Sequence, residues 1–342
     1  MTGWVWESSK YVLRRLVAIG LVLLGVATIT FGVTRLLGNP VYLLVGQQAD
    51  KEIIDNMIHQ MGLDRPLPEQ YLRYLLSVAQ GDLGISRVTQ RPVLTEIAIR
   101  MPATLELVLA AMGLVIFVGI PAGIMSAVRQ NGAVDRTAQF VSQVGISVPS
   151  FWVGLILIYI FFFRLHWFPA PLGRLSSTIP PPPTVTGLLT VDSVLAGNWL
   201  VVGSAVSHLV LPAIALALVS APSTYQITRN TLIHVLRSDY IRAASAYGFP
   251  ARTIYMRYAL KNTIVPIVTM LAMTFGFLMS STVLVETVFA WPGLGLFAVD
   301  SMHNLDYEPI LGVVLLSAFL YALAYFVADL VTLAIDPRIR AY

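Results

Sequence analysis

Six apolar runs of bilayer-crossing length constrain this chain more than any other feature. They lie at about 11–37, 103–128, 140–163, 209–226, 264–285 and 310–335. A helix needs roughly 20 mostly apolar residues to cross a bilayer. Inside hydrocarbon, every backbone N–H and C=O must find its partner within the protein, which leaves helices and closed barrels as the spanning solutions. Runs this long select helices. Only 12% of the residues are charged, about half the share of a soluble domain. The expected fold class is an all-α polytopic membrane protein with six transmembrane helices.

Charge placement orients the spans. Lys10, Arg14 and Arg15 flank the first run, Arg129 and Arg136 the second connection, and Arg338 and Arg340 the C-terminus. Basic residues favour the cytoplasmic side in short connections. Both termini are therefore expected in the cytoplasm. A cleaved signal peptide is the plain alternative for the first run. That run is long for such a segment, and Gly38-Asn-Pro40 lacks a small-x-small cleavage site. The net charge of +4 follows from the same basic connections, so nucleic acid is not an expected partner; membrane lipid is. The resulting division is a cytoplasmic tail with the first span at 1–38, an extracytoplasmic region at 39–102, a transmembrane core at 103–335 and a cytoplasmic tail at 336–342.

Between the fourth and fifth runs lies Asp239-Tyr-Ile-Arg-Ala-Ala-Ser-Ala-Tyr-Gly248-Phe-Pro250. Tyr240, Ala243, Ala244 and Tyr247 recur at helical spacing and share one face. Gly248 suits the left-handed turn that ends a helix, and Pro250 stops its continuation. Arg229, Arg237, Arg242, Arg252, Arg257 and Lys261 surround it, against Asp239. An element of this kind on a cytoplasmic face is built for presentation to a partner; a surface helix that satisfies its own ends would read the same way.

The spans are not plain anchors. Pro121, Pro149, Pro212, Pro222 and Pro266 lie in or near them and each bends a helix unless its neighbours compensate. Gly113, Gly119, Gly123, Gly145 and Gly154 allow close helix approach. Outside the spans, 49–61 and 70–79 read as short helices, Pro180-Pro-Pro-Pro183 as stiff polyproline II, and 191–199 as a short amphipathic stretch. Glu106 and Asp329 are expected near a membrane interface, where ionisation costs little; Glu286 could sit there too.

Familiar catalytic patterns are missing. No G-x-x-x-x-G-K-[ST] loop occurs, so ATP is not expected on this chain. The absence of cysteine excludes thiolate metal sites and a Cys nucleophile. The five histidines are scattered without ligand spacing. Ser204, Ser207 and His208 lack a nucleophile motif. The expected catalytic, metal and cofactor sets are empty.

Several blocks, in order, resemble the permease subunits of bacterial ATP-binding-cassette importers for peptides and nickel. They are Tyr11-Val-Leu-Arg-Arg-Leu16, Gly62-Leu-Asp-Arg-Pro-Leu-Pro-Glu-Gln-Tyr71, Gly81-Asp-Leu-Gly-Ile-Ser86 with Arg91-Pro-Val93, and Pro102-Ala-Thr-Leu-Glu-Leu107. Ser147-Val-Pro-Ser-Phe-Trp152, Glu286-Thr-Val-Phe-Ala-Trp-Pro-Gly-Leu-Gly295 and Asp336-Pro-Arg-Ile-Arg340 complete the set. The resemblance implies a type I importer permease bundle in the bacterial inner membrane. It implies that 238–250 is the coupling helix, with Tyr240, Arg242, Ala243, Ala244, Tyr247 and Gly248 meeting an ATPase. Arg242-Ala243-Ala244 stands where that family carries Glu-Ala-Ala, so arginine replaces the leading acid. Glu286, Trp291, Pro292 and Gly293 are then expected at the outer gate. The implied partners are a second homologous permease, two ATPases that carry ATP and magnesium, and an extracytoplasmic solute-binding protein. Di- and oligopeptides are the implied cargo, with nickel or another small solute as the alternative. A gradient-driven secondary transporter would want mid-span charge relays and often an internal repeat, and the sequence has no clear sign of either.

Overall fold

The computed structural model describes residues 2–36, 50–60 and 62–335. The segment Gly38-Asn-Pro40, the 336–342 tail, and Arg338 and Arg340 lie outside them. The first span is α1, Thr2–Leu36. Two short helices follow, α2 at Lys51–Gln60 and α3 at Leu67–Ala79. Then come α4 at Val93–Val128, the pair α5 at Ala133–Ser147 and α6 at Ser150–Arg164, and a short α7 at Leu189–Leu195. The remainder is α8 at Trp199–Leu236, α9 at Asp239–Ala246, α10 at Ala251–Val288, α11 at Leu294–His303 and α12 at Tyr307–Ile335. By length and composition, α1, α4, α8, α10 and α12 can each cross a membrane, and the bent pair α5–α6 gives a sixth crossing if the two helices together form one span.

That bend corrects the expectation of one continuous span at 140–163. The axes of α5 and α6 differ by 105°. Pro149 has no N–H to continue the ladder, and its ring drives Val148 into extended backbone, φ −108° and ψ 132°. The helix restarts at Ser150. Two other spans outrun their apolar windows. Helix α4 begins ten residues before the apolar run at 103, because Glu96 and Arg100 pair one turn apart and Arg100 stacks over Phe297 at 4.2 Å. Helix α8 has 38 residues against the apolar run of 209–226. Its first turn takes in Trp199, so the stretch 191–199 is not one element: α7 ends at Leu195, and Asn198 caps α8 by accepting from Val201 N–H at 3.3 Å.

Helix α8 is the axis around which the rest is packed. Pro222 leaves the Leu218 carbonyl without its helical donor, and a Cβ on Gly145 of α5 would lie 2.8 Å from that oxygen. A Cβ on Gly123 of α4 would meet Thr228 of α8 at 2.7 Å. Small residues thus permit backbone-to-backbone contact. Gly113, in contrast, faces open space. Leu107, Val108 and Ala111 of α4, Leu216 of α8 and Leu278 and Val285 of α10 form the central core. Helix α1 stays peripheral, lying along α12 and α3. Leu13, Val17, Leu21 and Ile29 of α1 are exposed, as lipid-facing residues would be.

The connections sort to two ends. One end carries 129–132 and α9. The other carries α2, α3, the 165–198 segment with α7, and α11.

Candidate functional site

Helix α9 has eight residues, and its two faces are unlike. Ile241 and Ala244 are buried against Ala127, Leu232, Ile254 and Ala259. Tyr240, Arg242, Ala243 and Tyr247 are exposed. Ala244 therefore anchors the helix to the bundle, a correction to the single face shared with Tyr240, Ala243 and Tyr247. The reason is spacing: Ile241 and Ala244 lie three residues apart and form the apolar stripe. Tyr247, which caps the helix, is 85% exposed.

The helix ends as the glycine foretells. Gly248 adopts φ +79°. Its N–H reaches Ser245 O at 3.0 Å, and the Phe249 N–H reaches Ala244 O at 3.2 Å. This paired pattern is a Schellman closure, which satisfies carbonyls that the helix end would otherwise orphan. Pro250 then precedes α10, whose first turns at Ile254–Ala259 are π-helical. Asn262 donates to the Tyr240 hydroxyl at 2.7 Å and to Tyr258 O at 3.1 Å, tying α9 to α10. Phe249 meets Tyr258 edge-on at 5.8 Å. Arg242 pairs with Asp239 in the same helix, and both are exposed. An exposed pair of this type contributes little to stability, so the guanidinium remains a surface feature.

Sequence reasoning did not find the buried pair beneath α9. Asp135 of α5, 0% exposed, accepts from Arg229 Nε of α8 at 2.6 Å and from the Asn131 N–H at 2.9 Å. In the sequence Arg229 stands out only as one of the basic residues around 239–250.

At the opposite end, Glu286 closes a second constellation. It is 0% exposed. Its Oε1 accepts from the Thr104 hydroxyl at 2.6 Å, and its Oε2 from the Gly295 and Leu296 N–H groups at 2.7 and 3.1 Å. The last two belong to the first turn of α11, where free N–H groups and the helix dipole favour an anion. Thr104 also accepts from Leu294 N–H at 2.8 Å. A Cβ on Gly293 would lie 2.4 Å from Glu286 Oε1, so only glycine lets the turn close over the carboxylate. The Trp291 indole N–H donates to Ala103 O at 2.9 Å. Glu286, Trp291 and Gly293 thus come together, whereas Pro292 is exposed beside them.

Glu106 is also buried. Arg174 pairs with it, and the Thr190 N–H and hydroxyl each reach its Oε1 at 2.6 Å. Arg174 lies over the Trp291 ring at 5.8 Å. This joins the 165–198 segment to α4 and to the Glu286 turn. Within that segment Asp192 gathers the N–H groups of Val185, Thr186 and Gly187 and the Thr186 hydroxyl. Burial pushes its carboxyl up, but these hydrogen bonds together hold it below the ordinary carboxylate value. Asp306 likewise accepts from the Ser86 hydroxyl at 2.6 Å and from two N–H groups. Asp329 pairs with Arg15 at 3.0 Å, joining α12 to α1.

Residues 119–341 match the family model described as "binding-protein-dependent transport system inner membrane component", and residues 8–108 match its N-terminal companion. The chain is 43% identical to the "probable D,D-dipeptide transport system permease protein" of Escherichia coli (strain K12), covering 93% of this chain and 94% of that protein. It is 36% identical to the dipeptide transport system permease protein of Alkalihalophilus pseudofirmus, over 96% and 99% of the two chains. It is 38% identical to the di/tripeptide transport system permease protein of Pseudomonas aeruginosa, over 97% and 98%. Helices that cross the membrane several times, a small helix offered at one end, and end-to-end similarity to transport permeases agree: the chain is an importer permease and belongs to the family of binding-protein-dependent transport system inner membrane components.

Proposed function

We propose that this chain forms one half of the translocation path of an ATP-driven importer of short peptides. A second, related permease completes the path. Two ATPase subunits dock on the cytoplasmic face and a solute-binding protein on the outer face. The coupling helix at 238–250 sits in a cleft of one ATPase and moves with it, within a transmembrane core at 103–335. That places α9 and both termini in the cytoplasm, and the 39–102 region with the Glu286 turn outside. The cycle needs no covalent chemistry from the permease. ATP favours one state of the path and the loaded binding protein favours the other.

The observation that carries this reading is the build of α9. It is fixed to the bundle by Ile241 and Ala244 and by the Asn262 bridge, yet Tyr240 and Tyr247 remain outside. A fixed helix with exposed aromatic rings suits a partner's apolar cleft. The relatives quoted above are named for di- and tripeptides, which supports short peptides over nickel. The Glu286 turn with Trp291, Pro292 and Gly293 is the proposed frame of the outer gate.

The test is co-purification and uptake with Tyr247→Asp. The variant is expected to insert and fold normally but to lose its ATPase subunits and its dipeptide uptake. Retained ATPase and normal uptake would overturn the coupling assignment. Unchanged dipeptide uptake in cells lacking this permease would overturn the cargo.

A further inference from the structure

A cavity of about 330 Å³ lies away from both regions described above, between the end of α1, helix α3 and the start of α12. Arg35 of α1, Arg73 of α3, Asp82 and Glu308 of α12 line it. Their positions are informative. Arg35 is in the last turn of the first span and Glu308 in the first turn of the last. The same cavity is lined one turn deeper by Phe31 on α1, and one and two turns deeper by Leu311 and Leu315 on α12. The lining therefore changes from charged to apolar along both helices, at the level where the apolar spans stop. Tyr71 and Tyr74 of α3 pack on Phe31 at 5.3 and 5.6 Å, an aromatic group of the type that marks a bilayer boundary.

Two buried atoms in this lining lack partners. Gln70 is 8% exposed, and its amide nitrogen gives hydrogen bonds to Leu63 O at 3.0 Å and Arg65 O at 2.7 Å. Its Oε1 has none, and neither has Arg35 Nε. Buried polar groups are nearly always satisfied. The cavity thus offers an unpaired acceptor and an unpaired donor, beside two guanidiniums and two carboxylates. Arg73 also reaches Glu69 at 3.2 Å, and Asp82 accepts from Gly84 N–H at 3.0 Å, so neither is wholly committed to a ligand.

We propose that this cavity holds the headgroup of one phosphatidylethanolamine molecule, its phosphate on Arg35 and Arg73 and its ammonium facing Glu308, Asp82 and Gln70 Oε1. Guanidinium groups bind phosphate through charge-assisted hydrogen bonds. A primary ammonium supplies the donors that the carboxylates and the amide oxygen call for. The apolar wall of Phe31, Leu311 and Leu315 suits the start of the acyl chains. The lateral position, under peripheral α1 rather than on the axis of α8, gives a lipid its way in. A lipid seated here would join α1 to α3 and α12.

The experiment is native mass spectrometry of the full chain in detergent after lipid removal. The added probes are dioleoylphosphatidylethanolamine, dioleoylphosphatidylglycerol, free phosphoethanolamine and dialanine. One phosphatidylethanolamine is expected per chain, with phosphatidylglycerol about tenfold weaker, the scale of one charge-assisted hydrogen bond. Arg35→Met should weaken phosphatidylethanolamine binding by a similar factor. Glu308→Gln, which keeps the shape, should abolish the preference over phosphatidylglycerol while leaving the chain folded. Equal retention of the two lipids by the native chain, or an unchanged preference in both variants, means a general annular lipid and overturns the proposal. Free phosphoethanolamine binding as tightly as the lipid would assign the site to a soluble phosphate ester instead. Dialanine binding without lipid would make it a peptide site. An empty native chain would leave only water there.

Discussion

The two ends of this molecule use their charged side chains in opposite ways. At the end bearing α11, four carboxylates turn inward. Glu106, Glu286, Asp192 and Asp306 are all buried, and each accepts several hydrogen bonds from loop or helix N–H and hydroxyl groups. At the α9 end, Arg242 and Asp239 pair on the surface, and the helix is held mainly by Ile241 and Ala244. The first end is closed by polar contacts within the chain. The second keeps its small helix attached through an apolar stripe and leaves Tyr240, Arg242 and Tyr247 exposed. Asp135 with Arg229 supplies the one buried charged contact described there, and it lies beneath α9 rather than within it.

The contrast can be broken most sharply at Glu286. Glu286→Ala leaves the Thr104 hydroxyl and two N–H groups of α11 buried without an acceptor. At roughly 1–3 kcal/mol for each orphaned group, the expected loss is about 3 kcal/mol or more. The midpoint of thermal unfolding in detergent measures it; an unchanged midpoint would remove the clamp from the account. Gly248→Ala is expected to cost about 1–2 kcal/mol, since an L side chain is forced into the left-handed region. The same melt, read beside hydrogen exchange at 244–249, separates this local strain from global loss.

Acidification should act locally on the Asp192 turn. The Asp192 carboxyl is held below its ordinary value. Its contribution is therefore complete above the unfolded value of about 3.9 and is lost as pH falls through the folded one. Hydrogen exchange at 185–187 should quicken in that window, while 239–246 stays unchanged. The smallest effect is expected from Arg242→Ala, below about 0.5 kcal/mol, because the pair it breaks is exposed. A larger loss would mean that α9 depends on its own charges, and the comparison would need redrawing.

What could be read from the sequence follows from range along the chain. Gly248 and Pro250 act on their immediate neighbours, so the end of α9 was legible residue by residue. The spans were legible because hydrocarbon imposes one length on all of them. Pro149 was legible as a bend, but not as a 105° break that divides a span. That outcome depends on how α5 and α6 pack on α8. The partners of the carboxylates were illegible for a similar reason. The partner of Glu106 is Arg174, 68 residues away, and that of Glu286 is Thr104, 182 residues away. An ionisable residue in an apolar run looks costly until its distant donors are known, and no local pattern names them. Ala244 shows the same limit on a smaller scale: helical spacing grouped it with Tyr240 and Tyr247, and only the neighbouring Leu232 and Ile254 decide which side is inside.

One dimension of α8 has a mechanical meaning. Its 38 residues make a rod of about 57 Å, nearly twice the roughly 30 Å depth of bilayer hydrocarbon. Asn198 and Arg237 flank it, so they stand in different aqueous compartments while sharing one continuous shaft. Any rocking of that shaft about its midpoint swings the two tips in opposite senses, with no intermediate joint needed to carry the stroke across the membrane.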